Sequence, residues 1–179
     1  MMKISVLYSS PRPKGNSATM AERFLGHAEG AGISRFYLND RQITECQACG
    51  GCAEDCRCSI EDDMQQIYES IEESEIIVMS SPLYWWSISA NLKKVIDRLY
   101  VYIGKGCLDG KKLVLLVSGI SEIPNSGYEM IDGMFKEISG YLKMQYQGCF
   151  VSADDSRPVK DNPQILREID QLAAEVLQF

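Results

Sequence analysis

Histidine is almost missing from this chain: His27 is the only one in 179 residues. With one imidazole and no nucleophile-elbow motif, a Ser-His-Asp hydrolase is excluded as a reading. His27 follows the first helical pattern closely, where a surface or capping role is the simplest one. Long apolar runs are missing too. The longest, Leu113 to Val117, is strand-sized, so no membrane partner is expected. Basic residues are outnumbered 18 to 25, for a net charge of -7, which argues against a nucleic-acid surface. No proline-rich, serine-rich or repeated stretch divides the sequence, and one domain over 1–179 is expected. The start of the chain has one lysine and too short an apolar run for a signal peptide, so a cytoplasmic location is expected. No GxGxxG follows the first apolar run. Gly104-Lys105-Gly106 and Gly110-Lys111-Lys112 lack the spacing and the Ser or Thr of a P-loop.

What is present is a regular alternation. Lys3–Ser9, Glu75–Ser80 and Lys112–Ser118 are nearly continuous apolar runs, as buried parallel strands require. Ile33–Leu38 and Met144–Val151 are more mixed and suit edge strands. Between them lie helical stripes such as Ala21, Phe24, Leu25 and Ala28, or Leu92, Val95, Ile96 and Leu99. A third is Ile131, Met134, Phe135 and Ile138. Alternating β and α elements imply an α/β fold, a doubly wound parallel five-stranded sheet. With the second and fifth strands at the edges, the order is 2-1-3-4-5, the flavodoxin-like arrangement. Ligands of such sheets bind beyond the strands' carboxyl ends, between strands one and three.

Two segments meet at that point. The first, SSPRPKGNSA, joins a strand to a helix N-terminus, where free N–H groups and the helix dipole favour an anion. Ser10 and Ser17 add hydroxyls, Asn16 an amide, and Arg12 and Lys14 charge, an inventory suited to a phosphate monoester. A plain helix cap by Asn16 or Ser17 would leave Arg12 and Lys14 unexplained. The second segment holds Pro82, Leu83, Tyr84, Trp85 and Trp86, with both tryptophans of the chain. It suits stacking on a flat ring, with core or subunit packing as the alternative. One anionic end beside one planar end fits FMN.

The cysteines are concentrated in one loop, at about 45–60. Cys46, Cys49, Cys52, Cys56 and Cys58 form C-x2-C-x2-C-x3-C-x-C, and the first three spacings suit a [4Fe–4S] cluster. Structural zinc and a metal-free loop with free or paired thiols are the competing readings. Cys56 would fit the C-x3-C of bacterial ferredoxins, but there the fourth cysteine serves a second cluster, for which only Cys107 and Cys149 remain, and Arg57 stands where those runs have proline. Asp62 and Asp63 precede the next helix and most simply cap it.

Taken together, SSPRPKGNSA, CQACGGCAEDCRCSIEDDM and SPLYWWSISANLKKVIDR resemble the NAD(P)H-dependent FMN reductase group of flavodoxin-like proteins, and within it the iron–sulfur flavoproteins most. The specific likeness runs from the start to about Leu99; beyond that only the element order matches. The resemblance implies that Ser10, Arg12, Asn16 and Ser17 hold the FMN phosphate. It implies that Pro82, Leu83, Tyr84 and Trp85 lie along the isoalloxazine, with a looser match at Ser118-Gly119-Ile120. It points to Cys58 as the fourth cluster ligand after Cys46, Cys49 and Cys52. It further implies an electron-transferring flavoenzyme with NAD(P)H or a ferredoxin-type donor and a small-molecule acceptor, working as a homodimer or tetramer. Trp85, Trp86 and the apolar stretch Tyr100-Val101-Tyr102-Ile103, exposed together, would make a patch suited to that assembly. A cluster-free FMN or quinone reductase and a non-enzymatic carrier like flavodoxin are the alternatives.

Overall fold

The computed structural model describes residues 1–52 and 56–178. Five parallel strands, β1 (Lys3–Tyr8), β2 (Gly32–Tyr37), β3 (Ile76–Pro82), β4 (Lys112–Gly119) and β5 (Gln145–Ser152), form one sheet in the order β2-β1-β3-β4-β5. The expected fold class is the observed one. Between the strands run α1 (Asn16–Leu25), α2 (Met64–Glu73), α3 (Ala90–Arg98) and α4 (Ser126–Tyr141), and α5 (Pro163–Val176) closes the chain.

Side chains alternate across a strand, so each central strand feeds two cores. Ile4, Val6, Val78, Val114 and Leu116 pack against Met20 and Phe24 of α1 and Ile169 and Ala173 of α5. Leu7, Ile77, Met79, Leu113 and Leu115 pack against Ile67 of α2, Leu92 and Val95 of α3, and Phe135 of α4. This two-sided burial is why the β3 and β4 sequences read as unbroken apolar runs. The edge strands β2 and β5 are half exposed, as their mixed sequences require.

Several boundaries differ from the sequence reading. Ala28 is buried but lies beyond the end of α1, and Leu99 belongs to a 3-10 turn, Leu99–Tyr102, that follows α3. Met134 and Ile138 are only partly buried, because α4 turns them toward an apolar surface groove with Tyr100, Ile103 and Tyr141. From Arg41 to Asp63 the described residues form neither helix nor strand, and this is the cysteine segment. Residues 53–55 within it lie outside the described residues. No helix among the described residues is long and apolar enough to cross a membrane.

Candidate flavin site and cysteine cavity

The loops after β1, β3, β4 and β5 converge at the carboxyl edge of the sheet. They enclose a cavity of about 160 Å³ lined by Ser10, Arg12, Gly15, Asn16, Ser17, Pro82, Leu83, Tyr84, Ser118, Gly119, Ile120, Ala153, Asp154 and Asp155. Nine of the eleven residues expected at a flavin meet there. The other two stand outside it. Lys14 lines a neighbouring open depression with Lys160 and Asp161. Trp85 is 90% exposed at the tip of its loop.

The first loop is a turn. Gly15 N donates to Arg12 O at 3.0 Å, and Arg12 N donates to Ser10 Oγ at 3.1 Å. Gly15 is the α1 N-cap, and it offers no side chain to the first helical turn. The competing reading, a plain cap by Asn16 or Ser17, is therefore not what is built. The first-turn N–H groups are left for a ligand, as an anion site needs. A Cβ on Gly15 would meet Arg12 Cβ and Ser10 Oγ at 3.2 and 3.3 Å, so the cradle is cut to glycine. Asn16 also braces the site. Its Nδ2 donates to Asp154 O at 3.4 Å and its Oδ1 accepts from Val159 N at 3.0 Å, tying the first loop to the one after β5.

The second loop is fixed from both ends. Leu83 N donates to Ser118 O at 2.8 Å, and Ser81 Oγ accepts from Ser89 N at 3.0 Å. Ser89 then caps α3 by accepting from Leu92 N. Tyr84 and Ser87 exchange backbone hydrogen bonds of 2.8 and 3.0 Å, and the two residues between them, Trp85 and Trp86, both have positive φ. That is a type I′ turn built from two bulky residues, a strained choice in place of the usual Asn-Gly. It carries the Trp85 indole out into solvent.

Ile120 was matched only loosely, and Ala153, Asp154 and Asp155 were not anticipated. The signal is topological: in a parallel sheet the loop after every strand reaches this edge, including the one that carries Asp154 and Asp155. Asp154 Oδ1 accepts from the Ser156 hydroxyl at 2.6 Å and from the Ser156 and Arg157 N–H groups at 2.8 and 2.9 Å. Those bonds hold its carboxyl down at about 2. Asp155 pairs with Arg12.

A second cavity, of about 500 Å³, is lined by Cys46, Cys49, Cys52 and Cys58 with Ile60, Asp97, Arg98, Tyr100 and Val101. These four cysteines are free, whereas Cys56 forms a disulfide with Cys107. The backbone N–H of Gly51 and the Ser59 hydroxyl lower the Cys49 thiol. Among the described residues, no three Cys, His, Asp or Glu side chains stand close enough to hold a metal ion. Cys149 lies on the other face of the sheet, where burial pushes its thiol up to about 12. Asp62 does accept from Met64 N at the start of α2, but its second oxygen serves Thr44 N and Arg98. Asp63 accepts from Gln42 N. The pair therefore anchors the cysteine segment more than it caps the helix. His27 sits at the surface against Asp170, at 2.8 Å.

A family model for NADPH-dependent FMN reductase matches residues 2–156. The chain belongs to this family. An iron–sulfur flavoprotein of Archaeoglobus fulgidus is 31% identical over 143 residues, covering 79% of this chain and 60% of that protein. The chain spans between 51% and 60% of the length of the first three curated relatives it matches. Among solved structures, an FMN-dependent NADH-azoreductase from Bacillus anthracis, in complex with FMN, has a TM-score of 0.72 at 14% identity, covering 98% of this chain and 100% of that one. An NAD(P)H:quinone oxidoreductase from Methanothermobacter marburgensis has a TM-score of 0.73 at 18% identity, covering 99% of this chain and 97% of that one. These two likenesses establish the fold.

Proposed function

We propose that the protein is an FMN-dependent oxidoreductase that passes electrons from NAD(P)H or a ferredoxin-type donor to a small acceptor. The observation that carries this reading is the meeting of nine expected flavin residues around one cavity at the sheet's carboxyl edge. Ser10, Arg12, Asn16, Ser17 and the uncapped first turn of α1 would hold the phosphate. Lys14, beside them, would add charge at longer range. Pro82, Leu83, Tyr84 and Ser118-Gly119-Ile120 would flank the ring, with Trp85 at its open side. The flavin supplies the electron-transfer chemistry when bound. The chain's own part is to bind, orient and cover it.

The cysteine cavity supports a second cofactor. Four free thiols line one cavity while Cys56 is held by Cys107, and an all-thiolate set suits iron–sulfur chemistry. Cys46, Cys49, Cys52 and Cys58 would hold a [4Fe–4S] cluster, supplying one-electron exchange. The separation of the sulfurs favours instead the cluster-free reductase, in which NAD(P)H reduces the flavin directly. Iron and sulfide analysis of protein made anaerobically with iron supplied separates the two. Equal amounts of both, near four per chain, support the cluster; their absence leaves the reductase. Steady-state turnover with NAD(P)H and a quinone tests both against a plain carrier, which would be reduced once and stop.

A homodimer or a dimer of dimers is the proposed working unit. Trp85, Trp86, Tyr100 and Ile103 are exposed, and Tyr141 and Met134 extend the apolar surface. Val101 and Tyr102, expected on that surface, are instead core residues at 2% exposure each. Light scattering that gives a monomer at micromolar concentration, with flavin bound, would refute the assembly.

A further inference from the structure

Arg98 is the bulkiest of the fully buried side chains, at 1% exposure, and the flavin site does not use it. Burying a guanidinium is costly unless its charge is paired and its donors are bonded. Here the partners are unusual. Nη1 donates to Asp62 Oδ2 at 2.5 Å and to Thr44 O at 3.2 Å. Nη2 donates to Ile60 O at 3.2 Å and faces Cys58 Sγ at 3.5 Å, a normal reach for sulfur. The Cζ atom lies 5.8 Å from the centre of the Tyr68 ring.

Thr44 precedes the first cysteine of the run and Ile60 follows the last. One guanidinium thus bonds the backbone on both sides of the cysteine segment, and Asp62 Oδ2 completes the closure by accepting from Thr44 N at 2.8 Å. The segment has little apolar content to order it, so its order depends on fixing its two ends together. Lysine could not substitute. A single ammonium has no planar fork with which to span acceptors on both strands of the loop base.

We infer that Arg98 is the positioning residue of the cysteine cavity: it closes the base of the loop across Thr44 and Ile60 and holds the Cys58 sulfur toward the cavity. This assigns Cys58, and not Cys56, to the cavity by a contact outside the cysteine motif. Cys56 is drawn off to Cys107 on the loop that follows Leu99–Tyr102. The part of this inference that concerns a bound metal rests on the cluster proposed above; the part that concerns loop closure does not.

The test compares wild type, Arg98→Lys and Arg98→Gln, made anaerobically with iron supplied and loaded with FMN. Amide exchange over residues 44–52 and 56–60 should quicken at least tenfold in both variants, with β1 and β4 amides unchanged. FMN content should stay at the wild-type level. Iron and sulfide should fall together to half or less. In Arg98→Gln the midpoint potential of the remaining cluster should move to more negative values, because the charged donor has left the Cys58 sulfur. Wild-type exchange, metal content and potential in both variants would overturn the inference. So would loss of FMN in Arg98→Lys, which would make Arg98 a residue of general stability. If the wild type itself lacks iron, the cluster proposal fails and the exchange comparison alone decides on Arg98.

Discussion

Arg12 Nη1 lies 2.9 Å from Asp155 Oδ1, so the cation expected to meet a phosphate is paired with a carboxylate from the loop after β5. Both side chains are mostly exposed, and such a pair contributes at most about 1 kcal/mol. A phosphate dianion can therefore take the guanidinium over. Asp155→Asn should strengthen FMN binding by a few-fold, since it removes both the competitor and a negative charge at the cavity. A titration of flavin-free protein with FMN reads this directly. Weaker binding would mean that Asp155 serves the ligand and does not compete with it.

Gly119 is where β4 and the second loop come closest. A Cβ there would lie 2.8 Å from Tyr128 Oη and 2.9 Å from Leu83 Cβ. Tyr128 cannot retreat easily, because its one hydroxyl proton lies between Val151 O and Ser121 O, at 3.1 and 3.2 Å. Gly119→Ala should cost about 1–3 kcal/mol of stability by overpacking. It should also weaken FMN, because Leu83 would be pushed into the cavity. Urea unfolding and an FMN titration check the two effects; wild-type values in both would show that the contact yields freely.

The Cys56–Cys107 disulfide closes a long segment, with a sequence separation of 51. By loop-closure entropy such a link stabilises by about 2–4 kcal/mol. Cys107→Ser, or reductant added to the wild type, should lower the urea midpoint accordingly. The Cys107→Ser protein should be indifferent to reductant. Equal midpoints for reduced and oxidised wild type would deny the link a stabilising role.

The sheet was legible because β1, β3 and β4 are buried on both faces, and that burial writes itself as continuous apolar sequence. The flavin loops were legible because cations, hydroxyls and glycine fell at a strand-to-helix junction. Other features depend on contacts distant in sequence, which no local pattern carries. Asp155 reaches Arg12 across 143 positions, and Arg98 reaches Cys58 across 40. The ties of Asn16 to Val159 and Asp154 were likewise hidden, because both partners lie far along the chain. Val101 and Tyr102 read as surface residues because a 3-10 turn has no apolar period long enough to reveal which side faces the core.

Acid should act on the loop after β5. The Asp154 carboxyl is held at about 2, chiefly by the Ser156 hydroxyl and the Arg157 and Ser156 N–H groups. Its folded value is below the ordinary one of about 3.9, so its stabilising contribution is complete above that value. The contribution is lost as pH falls toward 2. The wild type should therefore outlast Asp154→Asn in urea at about pH 6, and the gap should close in acid below about pH 4. A gap that widens in acid would contradict the assignment.

The central claim is that the loop from Ser10 to Ser17 is a phosphate site for FMN. Its most direct test is an equilibrium titration of flavin-free wild type and Arg12→Ala with FMN and with riboflavin, which lacks the phosphate. A charge-assisted hydrogen bond contributes about 1.5–3 kcal/mol, so Arg12→Ala should weaken FMN by about tenfold or more and leave riboflavin nearly unchanged. Equal losses for the two flavins, or equal affinities in the wild type, would contradict the account.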